Sequence, residues 1–254
     1  MGFSLEYENR KNGKVAIITI DCIKPNNTLD RQLLLEFTKT LQTASQEADA
    51  MLVTSANDKF FSNGLDGATL LKVDKEERVE TIREMIQVFG KLIQIQKPWV
   101  VEIAGHAMAG GAVISAAADN RFMIKTGARI GFSEMLVGMV LPTNYIMGFQ
   151  RFVHPRVVRE MMYGAAYKAE EALEIGLVDG VAEDKEILRK MCMKQIDGFF
   201  RFHKSSFLLT RNLYREEILR DIFRVLPNDF ERCLPQAATD DFVKALENIA
   251  KRNQ

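Results

Sequence analysis

The first half of the chain alternates short apolar runs with segments of helical period, and this rhythm constrains the fold more than any other feature. Val15 to Asp21, Ala50 to Ser55, Trp99 to Ala104 and Asn120 to Lys125 are apolar runs of strand length. Between them lie patterns that repeat every three to four residues. From Asp30 to Glu47, Leu33, Leu34, Phe37, Leu41 and Ala44 share one face, with Asp30 as the cap. A second helix is predicted over Lys75 to Gln96, stopped by Pro98, and a third, of small residues, over Gly105 to Ala118. That rhythm of strand, loop and helix predicts an α/β architecture with crossover connections. Asn12-Gly13 predicts a hairpin between Phe3–Arg10 and the following strand, because both turn residues tolerate positive φ.

From about Pro142 the pattern is helical to the end. Helices are predicted near Tyr145–Phe152, Pro155–Met162 and Lys168–Ile175, with Gly164 and Gly176 as stops. Longer ones follow over Asp184–Phe200, Ser205–Val225 and Asp240–Lys251. No low-complexity linker interrupts the chain. The expectation is a core over residues 1–195 and a C-terminal helical region over 196–254 that serves packing or oligomerisation, its many phenylalanines suiting either.

Composition excludes several classes. Thirty-four basic side chains balance 34 acidic ones, leaving no net field to hold a polyanion, so neither nucleic acid nor a membrane surface is an expected partner. A modest basic cluster from Lys185 to Lys204 alternates with acids, as on a solvated helix face. No apolar run approaches the ~20 residues of a membrane span. Met1-Gly2-Phe3-Ser4-Leu5-Glu6 lacks the order of a secretory signal, and Arg252-Asn253-Gln254 is not a Ser-Lys-Leu address, so a cytoplasmic location is expected. Cys22, Cys192 and Cys233 have no paired spacing and are read as reduced thiols, with neither metal site nor disulfide; Cys22 has no histidine at a spacing that would make it a nucleophile.

Three segments carry chemistry. Two are glycine loops at strand ends, Ser62-Asn63-Gly64-Leu65-Asp66 and Gly105-His106-Ala107-Met108-Ala109-Gly110-Gly111. Glycines let a ligand approach the backbone, and unpaired amides at such a turn can hold an oxyanion; close packing explains the same glycines without any ligand. The intervals match no dinucleotide fingerprint, and no Gly-Lys-Ser/Thr closes a phosphate loop. Gly131-Phe132-Ser133-Glu134-Met135 begins like a nucleophile elbow but has Met135 in place of its second glycine. In that third segment Glu134 stands among Phe132, Met135, Leu136, Val137 and Met139. Two readings stay open: a solvated glutamate at a helix start capped by Ser133, or a base whose pKa is raised by apolar surroundings.

Taken together and in order, these segments resemble the crotonase (enoyl-CoA hydratase/isomerase) superfamily. Its Phe-Ser-x-Gly-x-Asp loop is matched by Phe61 to Asp66, its Gly-x-x-x-x-Gly-Gly loop by Gly105 to Gly111, and its Gly-x-x-Glu segment by Gly131 to Glu134. Lys24-Pro25-Asn26-Asn27-Thr28-Leu29 is similar to the family's early CoA-contacting loop, and Ala169 to Asp179 to its later signature helix. The resemblance implies a fold of repeated ββα units that binds an acyl-CoA, with a C-terminal helical region, and it covers the chain to about residue 182. It further implies that the amides of Leu65 and Gly110 hold the thioester oxygen. Substrate contacts are expected at Lys24, Asn27, Ser62, Asn63, Gly64, Asp66, Gly111 and Asn144, with Lys24 and Lys59 as cations for the CoA phosphates. Homotrimers or dimers of trimers are common in the family.

Within the family the carboxylates select the reaction. Hydratases carry two glutamates; here the first of those positions is Val113, and the second is Glu134. One base over an apolar pocket matches the Δ3,Δ2-enoyl-CoA isomerase pattern, which needs no redox cofactor or metal because the CoA thioester is itself the substrate. The alternatives are another crotonase-type acyl-CoA enzyme (hydratase, hydrolase or decarboxylase), with His106, Asn144 and Tyr145 as polar candidates, and a non-catalytic acyl-CoA-binding protein. Of those candidates His106 is expected to bond backbone, Tyr145 to pack, and Asn144 to cap the helix that follows it. Asp66 is expected to orient its loop.

Overall fold

The structure is a computed structural model that describes residues 2–22 and 24–252. Met1 and residues 253–254, on which the readings of the two chain ends partly rest, lie outside the described residues. The chain opens with the hairpin β1 (Phe3–Arg10) and β2 (Gly13–Ile20), which turns at Lys11-Asn12, one residue earlier than predicted, because Gly13 already pairs with Arg10 and lacks the positive φ foreseen for it; helix α1 (Arg31–Glu47) follows. Asp30 caps α1 by accepting the Leu33 N–H at 2.9 Å. Three ββα units follow. They are β3 (Ala50–Ser55), β4 (Phe60–Ser62), α2 (Gly67–Lys72) and α3 (Lys75–Ile93); β5 (Trp99–Ile103), β6 (His106–Met108) and α4 (Gly110–Ala116); and β7 (Asn120–Ile124), β8 (Arg129–Gly131), α5 (Thr143–Phe149) and α6 (Pro155–Met162). The chain closes with β9 (Ala166–Lys168), α7 (Ala169–Glu174), β10 (Gly180–Ala182), α8 (Lys185–Phe199), α9 (Lys204–Ala237) and α10 (Asp240–Arg252).

Each ββα unit gives its first strand to a six-stranded sheet, ordered β1-β2-β3-β5-β7-β10, and its second to a four-stranded sheet, ordered β4-β6-β8-β9. All pairings are parallel except β1 with β2 and β8 with β9. The long strands carry the core: β5 is buried throughout, and β3 in all but its last residue. The predicted α/β fold of repeated ββα units is therefore present. The second strands are only three residues long, so they bring the ends of their loops side by side along one sheet.

The helical second half needs correction. Two short strands, β9 and β10, interrupt it; at three residues each they are too short for a period to show. Six-residue α2 and strand β6 were likewise not predicted, and α3 ends three residues earlier than Gln96. The 195/196 boundary falls inside α8. The larger departure is α9, which runs past Val225 and through Pro227 and Pro235. A proline inside a helix costs roughly 3 kcal/mol. The far half of α9 offsets that by burial, since Cys233, Leu234 and Ala237 pack with Leu70, Ile82, Ile86, Phe242 and Leu246 in a second apolar cluster.

Its near half is anchored by charge. Arg211 and Arg215 are buried and share Asp119, at 2.7 Å and 3.3 Å. They also donate to carbonyls at the C-terminal ends of α3 and α4: Arg215 to Ile93 (3.0 Å) and Ala117 (2.6 Å), Arg211 to Ile95 (2.9 Å). Two cations thus face one carboxylate and two helix C-termini, whose unpaired carbonyls complete the balance. The phenylalanines divide: Phe199 and Phe242 are buried, whereas Phe202 and Phe223 are exposed. Among the described residues no helix is long and apolar enough to cross a membrane.

Candidate active site

The loop after β4 is shaped by buried polar side chains. Ser62 donates its hydroxyl to the Asn27 carbonyl (2.9 Å) and accepts the Gly64 N–H (3.1 Å). The Asn27 amide is wholly occupied: its oxygen accepts the Cys22 N–H (3.1 Å), and its nitrogen donates to Ser55 Oγ (2.7 Å) and the Phe61 carbonyl (3.2 Å). Asn27 and Ser62, expected as substrate contacts, therefore spend their side chains holding this loop. The Gly64 carbonyl then accepts the Leu29 N–H (2.8 Å), and the Asp66 N–H donates to the Leu29 carbonyl (2.9 Å). In such a parallel bridge the residue between the two bonds turns its own N–H away from the partner, and that residue is Leu65.

The second loop ends with Ala109 at φ 51, which starts α4 at Gly110. As the first helical residue, Gly110 has an amide without an intrahelical acceptor. The Ala109 N–H donates to the Gly131 carbonyl (2.9 Å), tying this loop to the segment that carries Glu134. The loops meet closely. A Cβ added to Gly64 would lie 2.5 Å from the Gly110 nitrogen, and one on Gly111 would lie 2.1 Å from the Ser62 carbonyl oxygen. Among the described residues, the Leu65 and Gly110 amides donate to no backbone acceptor. Two unpaired N–H groups on converging loops are a donor pair able to hold one oxygen.

Glu134 opens a 3-10 turn, Glu134–Val137, that Gly138 closes in the left-handed region at φ 72. It is 7% exposed, so the solvated reading is excluded. Ser133 does not cap the turn with its hydroxyl; its N–H donates to the Glu134 carboxylate at 2.9 Å. Burial pushes the Glu134 pKa up to about 7, against the lowering effect of backbone hydrogen bonds from its own amide and that of Ser133. Phe132 is buried and Met139 half-buried beside it, whereas Met135 is exposed; the side chains of Leu136 and Val137 lie outside the described residues.

Fully buried Tyr145 adjoins Glu134, whose charge adds to burial in holding the phenol well above its ordinary pKa. The Tyr145 hydroxyl donates to the Met85 carbonyl, and Asn144 Nδ2 donates to the Ile86 carbonyl at 2.8 Å. Asn144 does not cap α5. Asp229, on α9 and 3% exposed, accepts the N–H groups of Thr143 (2.8 Å) and Asn144 (2.9 Å). Asp229 and Met85 escaped the sequence reading: Asp229 lies beyond Val225, where the helix was expected to end, and Met85 looks like any other apolar helix position. Helix α10 lies across α2 and the Glu134 turn, where a Cβ on Gly138 would stand 2.9 Å from the Ala245 Cβ.

Other expected residues sit differently. The Lys24 ammonium is held by Asp30 (2.6 Å) and Asp66 (2.9 Å), so its charge is already paired. Asp66 caps α2 through the Ala68 N–H and bonds Thr69 Oγ1 (2.6 Å). Burial pushes its pKa up, but hydrogen bonds from Thr69 and Lys24 leave it below the ordinary value, as suits a loop-orienting carboxylate. His106 Nδ1 accepts the Arg129 N–H (3.2 Å), the backbone role expected of it. Lys59 is exposed beside the Phe60 ring. Asn63 is half-buried, its side-chain oxygen without a partner among the described residues. Val113 is fully buried in α4. Among the described residues no group of three or more His, Cys, Asp or Glu side chains is placed to hold a metal ion.

Comparison with known proteins agrees with this geometry. Residues 10–200 match the family model of enoyl-CoA hydratase/isomerase. The crotonyl-CoA hydratase of Syntrophomonas wolfei is 27% identical over 200 residues, 76% of each chain. The peroxisomal enoyl-CoA delta isomerase 2 of Arabidopsis thaliana is 29% identical over 160 residues, 60% of this chain and 65% of that protein. The human mitochondrial delta3-delta2-enoyl-CoA isomerase superposes with a TM-score of 0.89 over 99% of this chain and 98% of that one, at 21% identity. An enoyl-CoA hydratase from Bacillus halodurans superposes at 0.84, so the fold is shared by both activities. By the extent of the matched segment and by its fold, this chain belongs to the enoyl-CoA hydratase/isomerase family.

Proposed function

We propose that the protein is a Δ3,Δ2-enoyl-CoA isomerase of fatty-acid breakdown. The observation that carries this reading is Glu134, a buried carboxylate whose pKa lies near neutrality, in a site where the other glutamate position of hydratases is the apolar Val113. In the proposed reaction the thioester oxygen accepts hydrogen bonds from the Leu65 and Gly110 amides. The Glu134 carboxylate removes a proton from C2, and the electron pair enters the thioester as an enolate. The same proton returns at C4, leaving the double bond between C2 and C3. No atom is gained or lost, and no water takes part. A pKa near the working pH suits a group that must both take and give that proton.

Gly64 and Gly111 would contribute by letting the two loops approach closely enough to bring their amides together, and Asn63 by its unpartnered oxygen. Because Lys24 is paired, Lys59 is the better candidate of the two for a CoA phosphate. No metal or redox group is required by this chemistry. The working assembly in this reading is a homotrimer or dimer of trimers, and the exposed Leu209, Leu213 and Phe223 of α9 offer an apolar surface for association between copies.

The test is to supply the purified protein with 3-enoyl-CoA and 2-enoyl-CoA side by side. Conversion of 3-enoyl-CoA to 2-enoyl-CoA, without 3-hydroxyacyl-CoA from either, is the expected result. Hydration of 2-enoyl-CoA at a comparable rate makes the protein a hydratase, the activity named for several of its relatives. Release of free CoA makes it a hydrolase, and thioester bound but unchanged makes it a binding protein.

A further inference from the structure

Met85 is a buried residue of α3 whose side chain reaches the junction of the two glycine loops. A Cβ added to Gly110 would lie 2.8 Å from Met85 Cε and 3.2 Å from its Sδ, on the same side as the Gly64 Cα at 2.9 Å. The thioether therefore occupies the space beside Gly110, one of the two proposed amide donors, where Gly64 approaches it. Its backbone is held in place. The successive carbonyls of Met85 and Ile86 accept hydrogen bonds from the successive side chains of Tyr145 and Asn144. Asp229 in turn fixes that end of α5 through the Thr143 and Asn144 amides. Met85, Ile86, Asn144, Tyr145 and Asp229 are all buried, so a shift of α3 away from the loops would leave polar atoms without partners.

Proton removal requires one hydrogen on C2 of the acyl group to face Glu134, so the second substituent on C2 faces another wall. Resting on the isomerase reading, we infer that Met85 is a specificity-determining residue: it admits acyl groups that carry two hydrogens on C2 and rejects those with a branch there. A methyl group on C2 needs the volume that Met85 Cε holds, and the clamp from α5 prevents the helix from yielding it.

The test uses saturated thioesters, which bind without turnover, so it does not depend on which reaction the protein catalyses. Calorimetric titration of the full-length protein with butyryl-CoA and isobutyryl-CoA is expected to show preference for the straight chain by roughly tenfold or more. Met85→Ala is expected to reduce the ratio to about threefold or less, and Met85→Leu, of similar volume, to keep it. Met85→Val is the second truncation should the alanine variant not fold. An unchanged ratio in the truncated variants, or no preference in the wild type, overturns the role of Met85 and leaves the isomerase reading standing. Failure to bind either thioester overturns both.

Discussion

Gly64 and Gly110 meet where neither has room for a side chain: a Cβ on Gly64 would stand 2.5 Å from the Gly110 nitrogen, and one on Gly110 2.9 Å from the Gly64 Cα. The contact holds the amides of Leu65 and Gly110 on adjacent loops, and the proposed chemistry depends on it. Gly64 carries a second constraint, a φ of +75° that side chains tolerate poorly.

Gly110→Ala should therefore spread the loops and lower kcat/KM about 10²–10³-fold, the usual cost of losing one oxyanion donor. Gly64→Ala should be at least as damaging, since its Cβ meets backbone and its φ is strained. Gly127→Ala is the control. It shares the positive φ (+73°) but would meet nothing within 4 Å, so it should cost about 1–2 kcal/mol of stability and no activity. Steady-state kinetics with parallel thermal melts separate the two effects.

The raised pKa of Glu134 makes stability depend on pH in a defined direction. Between the ordinary carboxylate value of 4.5 and the folded value of about 7, the folded protein retains a proton that the unfolded chain has released. Stability from this group thus falls as pH rises through that window and levels off above it, by on the order of 3 kcal/mol. Glu134→Gln removes the dependence, so the variant should gain on the wild type between pH 5 and pH 8 in denaturant midpoints. A wild-type protein that loses nothing to the variant over that range would contradict a protonated, buried Glu134.

Activity should follow the opposite limb. The base works only when deprotonated, so kcat/KM for 3-enoyl-CoA should rise with pH and level off with an apparent pKa near 7. A profile flat from pH 5 to 8 would indicate a base of ordinary acidity.

Asp119 holds the C-terminal region to the core through Arg211 and Arg215. Burial lowers the Arg215 pKa to about 10 despite the attraction of Asp119. Asp119→Ala would leave two buried guanidinium groups without their carboxylate, a loss of roughly 3–5 kcal/mol. Chemical denaturation should show it, and amide exchange should rise first along α9. A loss under 1 kcal/mol would mean that the helix-end carbonyls alone suffice.

The sequence reading succeeded where the signal is local or extended. Asn12-Gly13 marked the hairpin to within one residue, Asp30 the cap of the first helix, and the long apolar runs the strands, because each depends on few neighbours or on many repeats. The three-residue strands of the smaller sheet are too short for a period, and their existence is set by the tertiary pairing that gathers the loops. The helix expected to end at Val225 instead continues through Pro227, carried on by the tertiary burial of Cys233, Leu234 and Ala237. At the site, Glu134 was visible but its burial was not, since a carboxylate beside apolar residues can face either way. The pairing of Lys24 with Asp30 and Asp66 brings together residues from three segments, and no spacing encodes it.

The most direct measurement of the central claim is the single-turnover rate of double-bond migration in Glu134→Gln, with acyl-CoA affinity measured on the same preparation. With Glu134 as the proton carrier, the rate should fall at least about 10³-fold, within the range by which a positioned acid–base group accelerates a step, while affinity for a saturated acyl-CoA changes little. Migration within tenfold of the wild-type rate would show that another group moves the proton.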